Sequence, residues 1–211
     1  MSGPANRRLG VLISGRGSNL QAIIDAVAGG ALDAHIAVVV SNREGAAGLE
    51  RARRAGIPTA TIRHADYDSR EAFDLAVVEE LRRRDVGLVC LAGFMRLLSP
   101  AFISAFPDAV LNIHPSLLPS FPGLDAQRRA WEHGVAVSGA TVHVVTPELD
   151  GGPIVRQAAV PVREGDTPAS LAARIREAEH RIYPEAIRAV LDGGWRIEGR
   201  RFVAGSPGGV L

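Results

Sequence analysis

Residues 9–30, LGVLISGRGSNLQAIIDAVAGG, give the clearest indication of the fold class. This stretch opens with an apolar run of strand length, passes through a glycine-rich loop at residues 14–19, and then becomes helical. Apolar residues recur in its second half at the i, i+3, i+4, i+7 spacing of an amphipathic helix, namely Leu20, Ile23, Ile24 and Val27. A buried strand, a tight glycine loop and a helix in this order form the first unit of an α/β fold.

The same alternation continues to residue 115. Apolar runs predict strands at 35–42, 58–64, 86–93 and 109–115, and helical patterns predict helices at 46–56 and 69–84. Strands that are apolar on both faces are typical of a parallel sheet covered on both sides. The predicted fold is therefore α/β, with an open, mostly parallel, twisted sheet flanked by helices on both faces.

The C-terminal part departs from this alternation. Residues 138–162 have the pattern of two strands around a turn, which predicts an antiparallel extension of the sheet. A long helix is predicted over 167–194. We expect Pro184 to kink or break this helix, because proline removes a backbone hydrogen bond from a helix interior.

Composition narrows the class of protein. The 211 residues are 46% hydrophobic and 22% charged, and the net charge of +1 argues against bulk attraction to nucleic acid or to a membrane surface. The single cysteine, Cys90, excludes an internal disulfide and is predicted to pack inside a strand. No signal-peptide pattern or membrane-length apolar run occurs, so a cytoplasmic protein is the default. The arginine clusters are interpreted as solvated helix faces: Arg51, Arg53 and Arg54, and Arg82, Arg83 and Arg84.

Three loops carry most of the residues that could bind a ligand or take part in a reaction. They are SGRGSN at 14–19, GFMR at 93–96 and NIHP at 112–115, and each follows a predicted strand. In open parallel sheets, ligands bind beyond the carboxyl ends of the strands, where the strand order reverses. We therefore expect these three loops to meet at one edge of the sheet.

The loop at 14–19 favours an anion site. A dinucleotide-binding loop would need a third glycine where Leu20 stands, and an acid at the end of the second strand, which instead ends in serine and asparagine. A cradle for a small anion remains, built from glycine backbone and the N–H groups of a helix N-terminus. The structural alternative is a capping box formed by Ser18 and Gln21.

A second group of candidate catalytic residues lies in the segments 112–115 and 148–153. Asn112 and His114 share one side of a strand because side chains alternate, and an amide beside an imidazole suits the stabilisation of an oxyanion. Asp150 adds a carboxylate on a tight glycine turn. A carboxylate beside an imidazole can fix its tautomer and raise its pKa.

Other interpretations of these residues stay open at this point. His114, His143 and Asp150 could form a two-histidine, one-carboxylate metal site, although no local histidine pair supports it. A serine hydrolase is disfavoured, because Ser116 follows His114 too closely and no Gly-x-Ser-x-Gly elbow occurs. His143 is ambiguous between core and site. Three further histidines are predicted at the surface or on helix faces: His64, His133 and His180.

Several segments together are similar to a known family. They are VLISGRGSNLQAIIDA, SNREGAAGLERARRAGIPT, DYDSREAFD, LAGFMRLLSPAF, LNIHPSLLPSFPGL, TVHVVTPELDGGPI and EHRIYP, within about residues 9–192. On these motifs the chain resembles the folate-dependent phosphoribosylglycinamide formyltransferases of de novo purine synthesis. The resemblance implies a Rossmann-like formyltransferase fold and a single domain over 1–211, with a glycine-loop half at about 1–100 and a folate and catalytic half at about 101–211.

The resemblance also implies site residues. It assigns catalysis to Asn112, His114 and Asp150; phosphoribosylglycinamide binding to Gly17, Ser18, Asn19, Arg176 and Glu179; and folate binding to Arg70, Gly93, Met95, Arg96, Leu98 and Ile103. The implied co-substrate is 10-formyltetrahydrofolate, and no metal is implied. Asp125 and Gln127 are a departure, since the family often carries histidine in this part of the loop.

The implied reaction transfers a formyl group to the amine of phosphoribosylglycinamide. Asn112 and a protonated His114 would stabilise the oxyanion, with Asp150 supporting the imidazolium. Small-molecule partners are expected, without nucleic acid or membrane, and the sequence leaves a homodimer open.

Three rival classes are weighed against this one. A formyltetrahydrofolate hydrolase would use the same trio with water as acceptor, but usually carries an N-terminal regulatory domain that is not recognised in this sequence. A methionyl-tRNA formyltransferase should carry a further basic C-terminal domain. A non-catalytic folate- or phosphate-binding module would keep the glycine loop without needing the three catalytic residues together.

Overall fold

The computed structural model describes residues 6–205. Within that range the strands are β1 Arg8–Ile13, β2 His35–Ser41, β3 Thr59–Thr61, β4 Leu88–Leu91, β5 Val110–His114, β6 Val137–Val144, β7 Ile154–Pro161, β8 Arg196–Glu198 and β9 Arg201–Val203. The α-helices are α1 Ser18–Ala28, α2 Ala47–Arg54, α3 Arg70–Arg83, α4 Pro100–Ala105, α5 Ala126–Glu132 and α6 Pro168–Leu191, and a 3₁₀ turn covers His64–Asp66. None of these helices has the length and apolar content needed to cross a membrane.

One mixed sheet runs through the described chain in the order β3-β2-β1-β4-β5-β6-β7-β9-β8. The first five strands in this order, β3, β2, β1, β4 and β5, are parallel, and β6 and β7 extend the sheet in antiparallel fashion. This arrangement confirms the predicted fold class. The sheet also places β1 beside both β2 and β4, so that the strand order reverses next to the glycine loop.

Helices cover both faces of the sheet, as predicted. One apolar cluster packs α1, α2 and α6 against one face, and a second packs α3 and α4 against the other. The stripe predicted on α6 is buried, namely Leu171, Ile175, Ala178 and Ile182. Cys90 lies fully buried in β4, which confirms the prediction that it packs in the core.

The prediction for Pro184 is wrong in one respect, because α6 runs unbroken from Pro168 to Leu191. An interior proline costs a helix about 3 kcal/mol. Tyr183, just before the proline, and Ala186, two residues after it, are fully buried in the core cluster that packs against the sheet. Most helical stability in proteins comes from such packing, which here outweighs the missing hydrogen bond.

Some short elements had not been predicted. They are α4, α5, β8 and β9, and each has three to seven residues. Elements of this length show too little periodicity to be recognised from sequence. β9 pairs with β7 through one register pair, Ile154 with Arg201, so tertiary contact places it in the sheet.

Tyr183 joins α6 to the middle of the sheet. Its buried hydroxyl lies 3.0 Å from the carbonyl oxygen of Leu91 and 3.2 Å from that of Leu111, at the ends of β4 and β5. One hydroxyl hydrogen is thus shared by two carbonyls. Burial raises the pKa of Tyr183 and keeps the phenol protonated as a donor.

We expect Tyr183→Phe to lower the free energy of unfolding by about 1–3 kcal/mol, because two buried carbonyls lose their donor. Urea unfolding followed by circular dichroism measures the change. The control is Tyr67→Phe, since no residue in the described range hydrogen-bonds that hydroxyl; a change below about 0.5 kcal/mol is expected there. Equal stability of Tyr183→Phe and wild type would contradict the role of the hydroxyl.

Candidate active site

The three predicted loops meet at one edge of the sheet. The N–H of Ser14 donates to the carbonyl of Gly93 (3.2 Å), and the N–H of Met95 donates to the Ser14 hydroxyl (2.9 Å). These bonds join the end of β1 to the end of β4. In turn, Leu91 of β4 is in register with Asn112 of β5. The expected convergence at the switch point of the sheet is therefore confirmed.

The glycine loop begins α1 without a side-chain cap. Gly17 is the N-cap residue, with φ +71° in the left-handed region that favours glycine, and no side chain bonds the first turn. The alternative of a capping box is therefore wrong: Gln21 instead donates to Asp25 (2.8 Å) and accepts from Arg51 (3.2 Å). The first-turn N–H groups are left for another acceptor.

The second half of the chain reaches this loop through α6. The side-chain amide of Asn19 donates to Glu179 Oε2 over 2.9 Å, and both residues are buried. Burial raises the pKa of Glu179, while the Asn19 hydrogen bond and the charge of Arg176 oppose that rise. Glu179 and Arg176, predicted to share a face of the helix, therefore lie beside the glycine loop.

Four side chains form a cluster where β5 meets β6. His114 Nδ1 lies 3.4 Å from Asp150 Oδ2, and His143 Nε2 lies 3.6 Å from Asp150 Oδ1. The amide Nδ2 of Asn112 donates to His143 Nε2 over 3.2 Å. The Asp150 carboxylate thus lies between two imidazoles, and the Asn112 amide is hydrogen-bonded to that of His143. The predicted trio Asn112, His114 and Asp150 is brought together.

His143 is the member that sequence reasoning left unresolved. Its Nδ1 lies 3.0 Å from the carbonyl of Val144, so Nδ1 carries a hydrogen and Nε2 is free to accept from Asn112. This acceptor orients the Asn112 amide and leaves the second hydrogen of its Nδ2 available. The antiparallel register pairs Asn112 directly with His143. Pairing the two predicted strands in antiparallel register would have placed His143 beside Asn112.

The pKa of His114 is shifted in the direction opposite to the expectation that Asp150 would raise it. Its Nε2 lies 2.9 Å from the carbonyl of Phe121, which can only accept, so Nε2 carries the hydrogen. Burial lowers the pKa of His114 and outweighs the opposing effects of the Phe121 carbonyl and Asp150. The neutral imidazole is therefore favoured, and its Nδ1 lies 3.4 Å from Asp150 Oδ2.

Asp150 is the ionised partner in this cluster. Burial alone would raise its pKa, but the polar groups around it, including the N–H of Gly123 that donates to Oδ2 over 2.8 Å, bring the pKa below its usual value. Its backbone has φ +50°, an uncommon conformation for a residue other than glycine. The turn also depends on Gly152, where a Cβ would lie 1.8 Å from the carbonyl oxygen of Val144.

The proline-containing loop after His114 is tied down by hydrogen bonds. The Ser116 hydroxyl donates to Ser120 O (2.6 Å), and the Thr141 hydroxyl donates to Ser116 O (2.7 Å). The N–H of Gly123 donates to Asp150 Oδ2 over 2.8 Å. The loop is therefore attached to the same carboxylate that faces His114.

The residues that the resemblance assigns to folate are placed less uniformly. Gly93 and Met95 adjoin the glycine loop through Ser14, and the Arg96 guanidinium lies 5.3 Å from the centre of the Phe73 ring. Leu98 and Ile103 are half-buried beside them, and Met95 is 66% exposed. Arg70 begins α3 and is exposed, and it bonds to no other residue in the described range.

The departure at Asp125 falls outside the four-residue cluster. Asp125 is exposed at the start of α5, with φ +54°, and forms an ion pair with Arg128 (2.9 Å). Across residues 6–205, no group of three histidine, cysteine or acidic side chains has an arrangement that could hold a metal ion.

Comparison with known proteins identifies the family. Residues 7–187 match the family model described as formyl transferase. The chain belongs to the formyl transferase family. The four-residue cluster and the glycine loop of this formyl transferase both lie within the matched range.

Individual relatives agree with the assignment. The chain is 51% identical over 183 residues to phosphoribosylglycinamide formyltransferase from Escherichia coli (strain K12), covering 87% of the chain and 86% of the relative. It is 50% identical over 186 residues to the human trifunctional purine biosynthetic protein adenosine-3, covering 88% of the chain but only 18% of that longer protein. The crystal structure of glycinamide ribonucleotide transformylase 1 from Symbiobacterium toebii has a TM-score of 0.93 and 57% identity over 95% of each chain.

Proposed function

We propose that this formyl transferase moves the formyl group of 10-formyltetrahydrofolate to the amine of phosphoribosylglycinamide. The products are formyl-phosphoribosylglycinamide and tetrahydrofolate, in purine biosynthesis. The bacterial relative that spans most of this chain is named for formyl transfer to the same acceptor. The observation that carries the proposal is the cluster in which Asp150 lies 3.4 Å from His114 and Asn112 keeps a free N–H.

The glycine loop is the proposed seat of the ribose phosphate. The N–H groups of Gly17, Ser18 and Asn19 open α1 and are favourable to an anion through the helix dipole. Arg176 and Glu179 flank this seat from α6. Because only β4 separates β1 from β5, the loop lies about 10 Å from the catalytic cluster. That span fits a ribose phosphate with its glycinamide arm extended toward Asn112.

The folate is assigned to the edge formed by β4, the following loop and α4. Met95, Leu98 and Ile103 offer apolar contacts for a pterin, and the backbone near Gly93 offers polar groups for its edge. Arg96 and the exposed Arg70 supply positive charge for the acidic end of the molecule. The continuous sheet that joins β1 to β7 supports the proposal that residues 1–211 act as one unit.

The proposed chemistry is a direct transfer without a covalent enzyme intermediate. The free N–H of Asn112 donates to the formyl oxygen as the substrate amine bonds to the formyl carbon and negative charge develops there. His114 Nδ1, which faces Asp150, accepts a proton from the attacking nitrogen. Asp150 stabilises the resulting imidazolium. The imidazolium then returns the proton to the leaving folate nitrogen as the old carbon–nitrogen bond breaks.

The neutral state of His114 predicts the pH dependence of turnover. Above the usual histidine pKa of about 6.5, kcat should be flat, because Nδ1 is already free to accept a proton. Below it, kcat should fall as pH drops through the lowered pKa of His114. Rates at saturating concentrations of both substrates, between about pH 5 and 8, test this. A kcat that rises toward acid would contradict a neutral His114, and circular dichroism at each pH controls for unfolding.

The function itself is tested by following tetrahydrofolate and the formylated product together. The proposal expects equal amounts of both, and none of either without phosphoribosylglycinamide. Tetrahydrofolate formed without the amine would instead indicate a hydrolase. Binding of both small molecules without any turnover would indicate a non-catalytic module. Either result would overturn the transferase.

A further inference from the structure

Helix α2 packs directly against the glycine loop. The N–H of Gly48 donates to the carbonyl of Gly15 over 3.0 Å. A Cβ added to Gly17 would lie 2.6 Å from the Cα of Gly48, so the two backbones touch at a pair of glycines. This close approach brings the next turn of α2 within side-chain reach of the loop.

Arg51 makes the second contact from that next turn. Its Nε donates to the carbonyl of Arg16 over 2.9 Å, and its Nη1 donates to Gln21 Oε1 over 3.2 Å. One guanidinium therefore bridges the loop backbone and the first turn of α1. The interpretation of Arg51 as part of a solvated helix face is wrong, because the side chain is half-buried against the loop.

These contacts decide which way the peptide groups of the loop point. The carbonyls of Gly15, Arg16 and Gly17 are all occupied, by Gly48 N–H, Arg51 Nε and the N–H of Gln21. Throughout residues 6–205, in contrast, no group accepts from the N–H of Gly17, Ser18 or Asn19. The loop therefore turns its carbonyls toward α1 and α2 and leaves its N–H groups together, which is the arrangement of an anion-binding nest.

We propose that Arg51 is a positioning residue for the phosphate-binding loop. Gly48 assists it by bonding the loop backbone at Gly15. The inference rests on the proposed function of that loop. Arg51 does not touch the substrate; it holds the Arg16 peptide so that the adjacent N–H groups are ready before phosphate arrives. Without the Arg51 contacts, part of the binding free energy would be lost to ordering the loop. The chemistry at Asn112, about 10 Å away, is unaffected.

The planar guanidinium distinguishes a brace from a simple charge effect. Arginine can reach two acceptors at fixed positions, whereas lysine keeps the charge but has no fork. If Arg51 positions the loop, Arg51→Lys should lose affinity for phosphoribosylglycinamide as Arg51→Ala does. If Arg51 only attracts phosphate by its charge, Arg51→Lys should keep the wild-type affinity. Arg54 lies one turn along the surface of α2 and, within residues 6–205, pairs with Glu50 alone. It gives a matched control for the loss of a guanidinium.

The test compares Arg51→Lys, Arg51→Ala and Arg54→Lys in the full chain. Both Arg51 variants should raise the KM for phosphoribosylglycinamide roughly tenfold, which corresponds to ~1.4 kcal/mol, with kcat and the KM for the folate substrate within about twofold of wild type. Calorimetric titration with phosphoribosylglycinamide alone should show the same loss of affinity. Arg54→Lys should match wild type in every constant.

Three results would overturn the proposal while leaving the transferase intact: a wild-type KM in Arg51→Lys, a wild-type KM in Arg51→Ala, or a fall in kcat at constant KM. If the Arg51 variants do not fold, Gln21→Met removes one anchor of the guanidinium at a half-buried helix position. It should raise the same KM about threefold, and an unchanged value would overturn the brace. A wild-type protein that forms no formylated product would instead refute the proposed function.

Discussion

Asn112→Ala is expected to lower kcat by about 10²–10³-fold while both substrates still bind. The amide Nδ2 donates one hydrogen to His143 Nε2, 3.2 Å away, which leaves the other hydrogen for the proposed oxyanion. His114 Nε2 already donates to Phe121 O, and His114 Nδ1 is the proposed proton acceptor beside Asp150. Asn112 is therefore the donor that is ready for the developing oxyanion, and its loss falls on the transition state.

Steady-state rates with binding measured separately by calorimetry test this expectation. Asn112→Asp is the isosteric companion: it keeps the shape but replaces the donor with a negative charge, and should be at least as slow. Turnover of Asn112→Ala within about threefold of wild type would remove the residue from the mechanism.

Asp150→Asn is expected to lower kcat by about 10²–10⁴-fold, the range that a positioned acid or base contributes. Asparagine can still accept the Gly123 N–H through its side-chain oxygen, so the loop and the fold should persist. What is lost is the negative charge 3.4 Å from His114 Nδ1, which in the proposed mechanism stabilises the imidazolium formed during transfer. The pKa of His114 should fall further, because Asp150 is one of the influences that raise it.

The matched control is Asp125→Asn, which neutralises an exposed carboxylate at the start of α5 and should leave kcat within about twofold. Circular dichroism and urea unfolding separate lost chemistry from lost structure. A folded Asp150→Asn enzyme with wild-type turnover would exclude Asp150 from proton transfer. An acid limb of the pH profile that does not move would contradict the coupling between Asp150 and His114.

Much of the architecture could be predicted because its signals are local. The apolar runs around Val11 and Val89 mark buried parallel strands, and the spacing of Leu20, Ile23 and Ile24 marks the first helix. Period-two alternation also placed Asn112 and His114 on one side of β5. Pro184 was misjudged because a local rule about backbone hydrogen bonds was outweighed by packing from other elements.

The remaining parts of the site depend on contacts between distant segments. His143 joins Asn112 through the antiparallel register of β5 and β6, across 31 residues of chain. Arg51 meets the glycine loop across 35 residues, although its sequence context indicates an ordinary charged helix. Neither contact has a signal in its own segment.

The order of the longer strands and helices, the edge where the loops meet, and the groups available for chemistry could all be inferred from the residues alone. Periodicity and the conformational freedom of glycine act within a few residues and can be read directly. The lowered pKa of His114, the orientation of the Asn112 amide and the direction of the loop N–H groups became visible only in the folded chain. Each of these depends on burial and on hydrogen-bond partners contributed by other segments, and a pKa or a peptide orientation is set by that whole environment.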